Sequence, residues 1–164
     1  MRVVEVFGVR AQLPTNTPVV LLSEVGANRL LPLWVGELEA AAIALAVEGV
    51  VPSRPLTHDL VLTLMAAIGE RQITRVEITS LTDGVFHADL VLDDEARVDC
   101  RASDGIALAL RCGAKILVAD EVMDEAGVVT EDEESPGADA SDEDLARFRE
   151  FLDTINPEDF KGSA

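Results

Sequence analysis

Four residues whose side chains can carry out chemistry lie at the starts of three predicted helices. They are Glu39 in the first helix, His58 and Asp59 in the second, and Asp104 in the third. Carboxylate oxygens are usual ligands of Mg²⁺ and Mn²⁺, and an imidazole can accept a proton from water. If the helix starts converge, the three carboxylates can hold a divalent ion and His58 can act as a general base. Glu39, His58 and Asp104 are the catalytic candidates.

Basic and hydroxyl side chains near the same helix starts suit a phosphate group. Arg54 and Arg101 each offer a guanidinium, and Ser103 lies beside Asp104. Helix starts are common anion sites because their backbone N–H groups are unpaired. Together with the carboxylates and the imidazole, these three substrate-binding candidates outline a phosphodiester hydrolase.

Most of these residues have an ordinary structural role as an alternative. Thr57 and Ser103 suit the N-cap positions of their helices. Asp59 and Asp104, in first turns, stabilise helices by about 0.3–1 kcal/mol without any function. His58 suits a half-buried imidazole bonded to the backbone. We favour the structural role for all five, and both roles stay open.

Glu39 is different because it lies in the apolar stripe of its helix. Burying a carboxylate is costly unless the charge is paired. We therefore expect Glu39 to be largely buried beside a partner. That partner is Arg54 or Arg101 in one interpretation and a metal ion in the other.

Apolar periodicity predicts the elements that position these residues. The predicted strands are 2–11, 19–25, 29–35, 72–81, 85–92, 97–101 and 115–118, and the predicted helices are 37–47, 58–68 and 104–112. The Asp83-Gly84 pair between two of the strands indicates a hairpin. Because short runs of both kinds alternate without long connections, we expect an α+β domain, a mixed and mainly antiparallel sheet that carries three packed helices.

The second and third predicted helices differ in how much of their surface is apolar. In the second, the predicted core stripe consists of Leu60, Val61, Leu64, Met65 and Ile68. The third is almost wholly apolar and must be packed on most sides. Its Asp104 and Arg111, seven residues apart on one face, are expected to form a solvated charge stripe.

The formal net charge of −18 is concentrated near the C-terminus. Residues 121–164 hold 15 Asp or Glu and 3 Lys or Arg, whereas residues 1–120 hold 16 and 10. This charge counts against a nonspecific basic groove, and an aromatic content of 4% counts against base-stacking platforms. We expect a domain over 1–126, an acidic mobile linker over 127–140 and an amphipathic helix over 141–160 that needs a docking surface.

Compartment and assembly can also be predicted from composition. No apolar run approaches the ~20 residues of a membrane span, and the first residues lack a secretory signal, so we expect a cytoplasmic protein outside the membrane. Cys100 and Cys112 lack metal-ligand spacing and are expected to be small core residues. Because 48% of the residues are hydrophobic, we also expect self-association into a homo-oligomer.

Three segments are specific in their order and spacing. They are 31–40 (LPLWVGELEA), 54–60 (RPLTHDL) and 101–111 (RASDGIALALR). In these segments the chain resembles the bifunctional nuclease family over residues 1–126. The resemblance implies a compact α+β domain, assembly as a homo-oligomer, and nuclease activity on DNA and RNA.

Two functions of different classes follow from these observations. The first is a metal-dependent nuclease that hydrolyses phosphodiester bonds of DNA and RNA with Mg²⁺ or Mn²⁺, which the resemblance and the charged helix starts favour. The second is a non-catalytic oligomeric module that binds or regulates, and whose C-terminal helix engages a protein partner. The net charge and the scarcity of aromatic residues favour this second function.

Overall fold

The computed structural model describes residues 1–12, 14–69 and 71–130. The strands are β1 (Arg2–Gln12), β2 (Thr17–Glu24), β3 (Arg29–Trp34), β4 (Ile73–Thr82), β5 (Val85–Leu92), β6 (Arg97–Arg101), β7 (Lys115–Val118) and β8 (Val128–Val129). The helices are α1 (Glu37–Val47), α2 (Thr57–Ile68), α3 (Ala102–Cys112) and α4 (Asp120–Ala126). The helix predicted over 141–160, and residues 131–140 of the predicted linker, lie outside the described residues.

The eight strands of the described residues form one sheet in the order β6-β5-β4-β7-β1-β2-β3-β8. Every neighbouring pair is antiparallel except β4 and β7, which are parallel. The parallel pair arises because β7 returns beside β4 after the α3 crossover. The prediction of an α+β domain with a mixed, mainly antiparallel sheet is confirmed.

The helix α3 is the central helix of the packing. It lies against β4 and β5, and it also contacts α1 and α2. Gly105 allows the close approach to the sheet, because a Cβ at this position would lie 2.7 Å from Cγ1 of Val76 and 3.3 Å from Sγ of Cys100. The prediction that this helix is packed on most sides is confirmed, since Ile106, Ala107 and Leu108 are all buried.

The described chain contains two elements that the periodicity did not predict. The helix α4 packs against β4 and β3 and buries Val122 and Met123. Strand β8 then pairs with β3, with Val129 opposite Arg29. The folded part therefore continues to Thr130, past the boundary predicted at 126. Both elements are too short for a periodic pattern to reveal.

The structure confirms only part of the apolar stripe predicted for α2. Leu60 and Leu64 are each 50% exposed and Ile68 is 82% exposed. Val61 and Met65, the other two residues of the predicted stripe, are partly buried against the core, and Leu62 packs there as well. Apolar side chains surround most of α2, so periodicity could not show which arc packs against α3. The prediction that Cys112 is a core residue is also wrong, since Cys112 is exposed.

In the described ranges, no helix has both the length and the apolar character that a membrane crossing requires.

Candidate functional site

The first turns of α1, α2 and α3 meet at the side chain of Arg101, which precedes α3. Its Nη1 forms an ion pair with Oε1 of Glu39 at 2.9 Å. Its Nε donates to Oδ2 of Asp104 at 2.7 Å, and its Nη2 donates to Oδ1 at 3.1 Å. Nε2 of His58 lies 3.1 Å from the same Oδ1. One guanidinium therefore joins two carboxylates, and the imidazole completes a group of four residues that we call the Arg101 cluster.

Asp104 is the centre of the charge balance in the Arg101 cluster. Partial burial favours the neutral carboxyl group, but the hydrogen bonds from Arg101 and His58 outweigh burial and hold the pKa of Asp104 below its ordinary value. Asp104, and then Glu39, raise the pKa of Arg101. Asp104 is therefore ionised at neutral pH and can only accept hydrogen bonds, so Nε2 of His58 carries the proton in this contact.

Exposure separates Arg101 from the other members of the cluster. The side chains of His58 and Asp104 are 14% and 29% exposed. Glu39 is 20% exposed, whereas Arg101 is 66% exposed. The expectation that Glu39 is largely buried beside an arginine is confirmed. A dissolved ligand reaches the guanidinium more easily than any other group of the cluster.

Gly36, the N-cap of α1, provides the space that Glu39 occupies. A Cβ at position 36 would overlap Oε2 of Glu39. The backbone of Gly36 has a φ of −71°, which any residue adopts, so the requirement is for space and not for conformation. The Glu39 carboxylate thus folds back over the start of its own helix.

Asp59 belongs to a separate network one residue away from His58. Its Oδ2 accepts a hydrogen bond of 2.8 Å from the backbone N–H of Leu56, the N-cap of α2. Its Oδ1 accepts a 3.0 Å hydrogen bond from Nε of Arg111. Both carboxylate oxygens of Asp59 are therefore used within the protein.

The structure places the remaining predicted residues outside direct contact with the carboxylates. Thr57 is the first residue of α2 and not its N-cap. Ser103 is buried in the first turn of α3, whose N-cap is Arg101, so both N-cap predictions are wrong. Helix α2 starts one residue earlier, and α3 two residues earlier, than the side-chain pattern suggested. Arg54 is exposed and, within the described ranges, forms no ion pair.

The three carboxylates predicted to hold a metal ion do not share one site, because Asp59 is engaged elsewhere. In the described part of the chain, no three His, Cys, Asp or Glu side chains are placed to share a metal ion. Glu39 and Asp104 are brought together by one guanidinium. Two carboxylates suit Mg²⁺ or Mn²⁺ when water and phosphate complete the coordination. The pair therefore fits a divalent ion only in exchange for the guanidinium.

Arg111 was not expected at this site, and the prediction that it is solvated is wrong. Its side chain is only 10% exposed. The sequence contained a signal for this, since a guanidinium on a helix packed on most sides must find partners inside the protein. Gly36 was also missed, because the space that Glu39 needs depends on how the side chain folds back.

Glu77 and Cys100 are two groups outside the Arg101 cluster whose reactivity is limited by their surroundings. Glu77 is buried on β4 between Arg75 and Arg97, and burial opposes but does not overcome their lowering of its pKa. All three side chains are engaged in ion pairs. Burial raises the pKa of the Cys100 thiol to about 11, so this thiol is protonated at neutral pH and is a poor nucleophile.

Comparison with known proteins agrees with the resemblance noted in the sequence. The family model of the bifunctional nuclease domain matches residues 19–131, which include the whole Arg101 cluster. The chain is similar to the uncharacterized protein MT1877 of Mycobacterium tuberculosis strain CDC 1551 / Oshkosh and to the uncharacterized protein Rv1829 of strain ATCC 25618 / H37Rv. Each is 44% identical over 162 residues, which is 98% of both chains. The chain therefore belongs to the bifunctional nuclease domain family.

Proposed function

We propose that the protein is a nuclease that hydrolyses phosphodiester bonds of DNA and RNA at the Arg101 cluster. The observation that carries the proposal is the meeting of Glu39, His58 and Asp104 around one exposed guanidinium. A phosphodiester substrate needs a cation for its phosphate and a base for the attacking water. The cluster offers both within one set of contacts.

Arg101 is the phosphate-binding group in this proposal. It is the most exposed member of the cluster, and guanidinium binds phosphate oxygens with the same donor geometry that it uses for carboxylates. Binding of a phosphate competes with the ion pairs to Glu39 and Asp104. The approach of the substrate therefore frees carboxylate oxygens that the guanidinium now covers.

His58 is the general base. Because its Nε2–H donates to Asp104, the neutral imidazole has its free lone pair on Nδ1. Nδ1 takes a proton from water as the water oxygen bonds to phosphorus. The bond from phosphorus to the leaving sugar oxygen breaks, and that oxygen takes a proton from solvent. Asp104 holds the ring in this tautomer and stabilises the imidazolium that forms.

Glu39 and Asp104 are also the residues that would hold Mg²⁺ or Mn²⁺. A divalent ion supplies charge neutralisation at the phosphate and a more acidic water. If Arg101 turned to the phosphate, the two freed carboxylates would provide oxygen ligands for such an ion. Asp59 takes no part in this arrangement, since its two oxygens stay bonded to Leu56 and Arg111.

A cleavage assay with matched variants tests the proposal. The purified protein is incubated with single-stranded DNA and RNA in Mg²⁺, Mn²⁺ or EDTA. Glu39→Gln is expected to abolish cleavage, whereas Glu37→Gln, in the same helical turn but exposed, is expected to leave it unchanged. Equal activity of the two variants would remove the site assignment. Cleavage that is unaffected by EDTA would show that the reaction does not require a divalent ion.

A second candidate function is a non-catalytic oligomeric module that acts through protein partners. The observation that favours it is the exposed apolar stripe of α2, formed by Leu60, Leu64 and Ile68. Exposed apolar stripes of this kind commonly mark protein interfaces. This candidate is preferred if the purified protein associates through α2 but cleaves neither DNA nor RNA.

A further inference from the structure

We propose that Arg111 is a positioning residue that holds His58 against Asp104, acting through Asp59. The inference deepens the proposed nuclease function and rests on it as far as catalysis is concerned. The positioning itself is a statement about geometry, which can be tested without any cleavage.

The guanidinium of Arg111 contacts all three helices that contribute to the Arg101 cluster. Its Nε donates to Oδ1 of Asp59 on α2 at 3.0 Å. Its Nη2 donates to the backbone oxygen of Ala42 on α1 at 3.1 Å, and its Nη1 to that of Ala107 on α3 at 2.8 Å. With a side chain only 10% exposed, Arg111 forms an internal connection among the three helices.

The link from Arg111 to His58 passes through the first turn of α2. One oxygen of Asp59 accepts from Arg111 while the other accepts from the backbone N–H of Leu56. Asp59 thereby holds both ends of the turn that contains His58. The position of this turn relative to α3 determines whether Nε2 of His58 reaches Asp104.

The apolar packing of α2 is weak, so the ion pair has a large share in placing the helix. No residue of α2 is fully buried, and Leu60, Leu64 and Ile68 are at least half exposed. A helix held by few apolar contacts can shift unless polar contacts define its position. The ion pair between Asp59 and Arg111 fixes the position of α2 at the end where His58 lies.

The test measures the carboxyl titration of Asp104 by NMR in the full chain, in Arg111→Lys and in Asp59→Asn. Loss of the His58 hydrogen bond is expected to raise the pKa of Asp104 in both variants. The direct effect of the charge changes would not raise the pKa of Asp104 in either variant. Arg111→Lys keeps the charge, and Asp59→Asn removes a negative charge, which alone would lower the pKa of Asp104. A rise in both variants therefore reports a displaced His58.

Arg71→Lys is the control, because Arg71 forms an exposed ion pair with Asp94 away from the cluster. It is expected to leave the Asp104 titration unchanged. A purely structural role of Arg111 would lower the thermal midpoint without moving the titration, and that outcome overturns the proposal. Asp59→Asn keeps an amide oxygen for the Leu56 N–H, so it provides a second variant if Arg111→Lys does not fold.

Kinetics separates this inference from the proposed function. In both variants kcat is expected to fall by about 10- to 100-fold with KM nearly unchanged, because misplacing a base impairs the chemical step more than binding. If the wild-type chain does not cleave nucleic acid, the proposed function fails while the Asp104 titration still decides the positioning. If cleavage is present and the titration is unmoved in both variants, only the positioning fails.

Discussion

In the proposed nuclease, Arg101 would have two sets of partners, its carboxylates and a substrate phosphate, which cannot all be satisfied at once. Its guanidinium now binds Glu39 and Asp104, and a phosphate would use the same donors. An arginine that is two thirds exposed gains little from a surface ion pair, so exchanging carboxylate for phosphate costs little. In that proposal, the affinity of Arg101 for its carboxylates would influence both phosphate binding and the availability of the two acids.

At the residue scale, Arg101→Gln is expected to reduce stability in a pH-dependent way. The pKa of Asp104 is lower in the folded chain than its ordinary value of 3.8. The stabilisation from this ionised carboxylate is fully present above pH 3.8 and is lost as the pH falls through the lower folded pKa. Urea denaturation should show a loss of at most about 1 kcal/mol at neutral pH. The difference between the two proteins should shrink as the pH falls below 3.8.

Arg71→Gln serves as the control because Arg71 also forms a partly exposed ion pair with a carboxylate, Asp94, away from the Arg101 cluster. It should not change the Asp104 titration. If Arg101→Gln showed the same loss of stability at pH 2 as at pH 7, the ionised Asp104 would not be the partner through which Arg101 stabilises the fold.

At the element scale, the start of α1 depends on the absence of a side chain at position 36. In Gly36→Ala the new Cβ occupies the place of Oε2 of Glu39. The carboxylate is the far end of a flexible side chain and can move, so we expect an almost unchanged thermal midpoint but a loss of cleavage. Gly69→Ala, where a Cβ meets nothing within 4 Å, is the control and should keep activity. Full activity of Gly36→Ala would mean that this position of Glu39 is not needed.

Gly105, where α3 packs on the sheet, is a position at which an added methyl group should reduce stability, in contrast to Gly36. Gly105→Ala improves helix propensity but places a Cβ 2.7 Å from Cγ1 of Val76. Because β4 and α3 are both held in the core, we expect overpacking to destabilise the protein by about 1–3 kcal/mol in urea. A stabilised Gly105→Ala would show that α3 can move away from the sheet without cost.

At the scale of the whole molecule, the charge of residues 131–164 should oppose nucleic acid. These residues include 12 Asp or Glu and 3 Lys or Arg. Deleting them is expected to strengthen binding of single-stranded DNA at low salt, and the gain should shrink as ionic strength rises. Fluorescence anisotropy across a salt series measures this. A full-length control with residues 131–134 changed from acidic to amide side chains should show part of the gain, and equal affinities at low salt would contradict the prediction.

We also expect the whole molecule to self-associate, and to do so through the exposed stripe of α2. Burial of an apolar side chain contributes about 1.5–3 kcal/mol, so Leu64→Glu should weaken association by about 10- to 100-fold. Sedimentation velocity across a concentration series measures the change. Val85 is an exposed apolar residue on β5, and Val85→Glu should leave the association unchanged. A wild-type monomer at micromolar concentration would contradict the prediction.

Several elements could be predicted from the sequence because their signals are local. The bounds of α1, β5, β6 and β7 agree with the structure residue by residue. Each is delimited by a nearby glycine, turn or change in periodicity. The burial of Glu39 beside an arginine could also be predicted, since an unpaired carboxylate on an apolar stripe is unfavourable wherever its helix packs.

The sequence by itself determined the α+β class, the family and the set of charged residues near the helix starts. Only the tertiary structure decided how those residues are divided, with Asp104 in the Arg101 cluster and Asp59 bonded to Arg111. It also decided which face of α2 is buried. The physical reason is the separation along the chain over which each effect acts. Periodicity and capping act within a few residues, whereas the choice among carboxylate partners depends on ångström-scale distances between helices that are far apart in the chain.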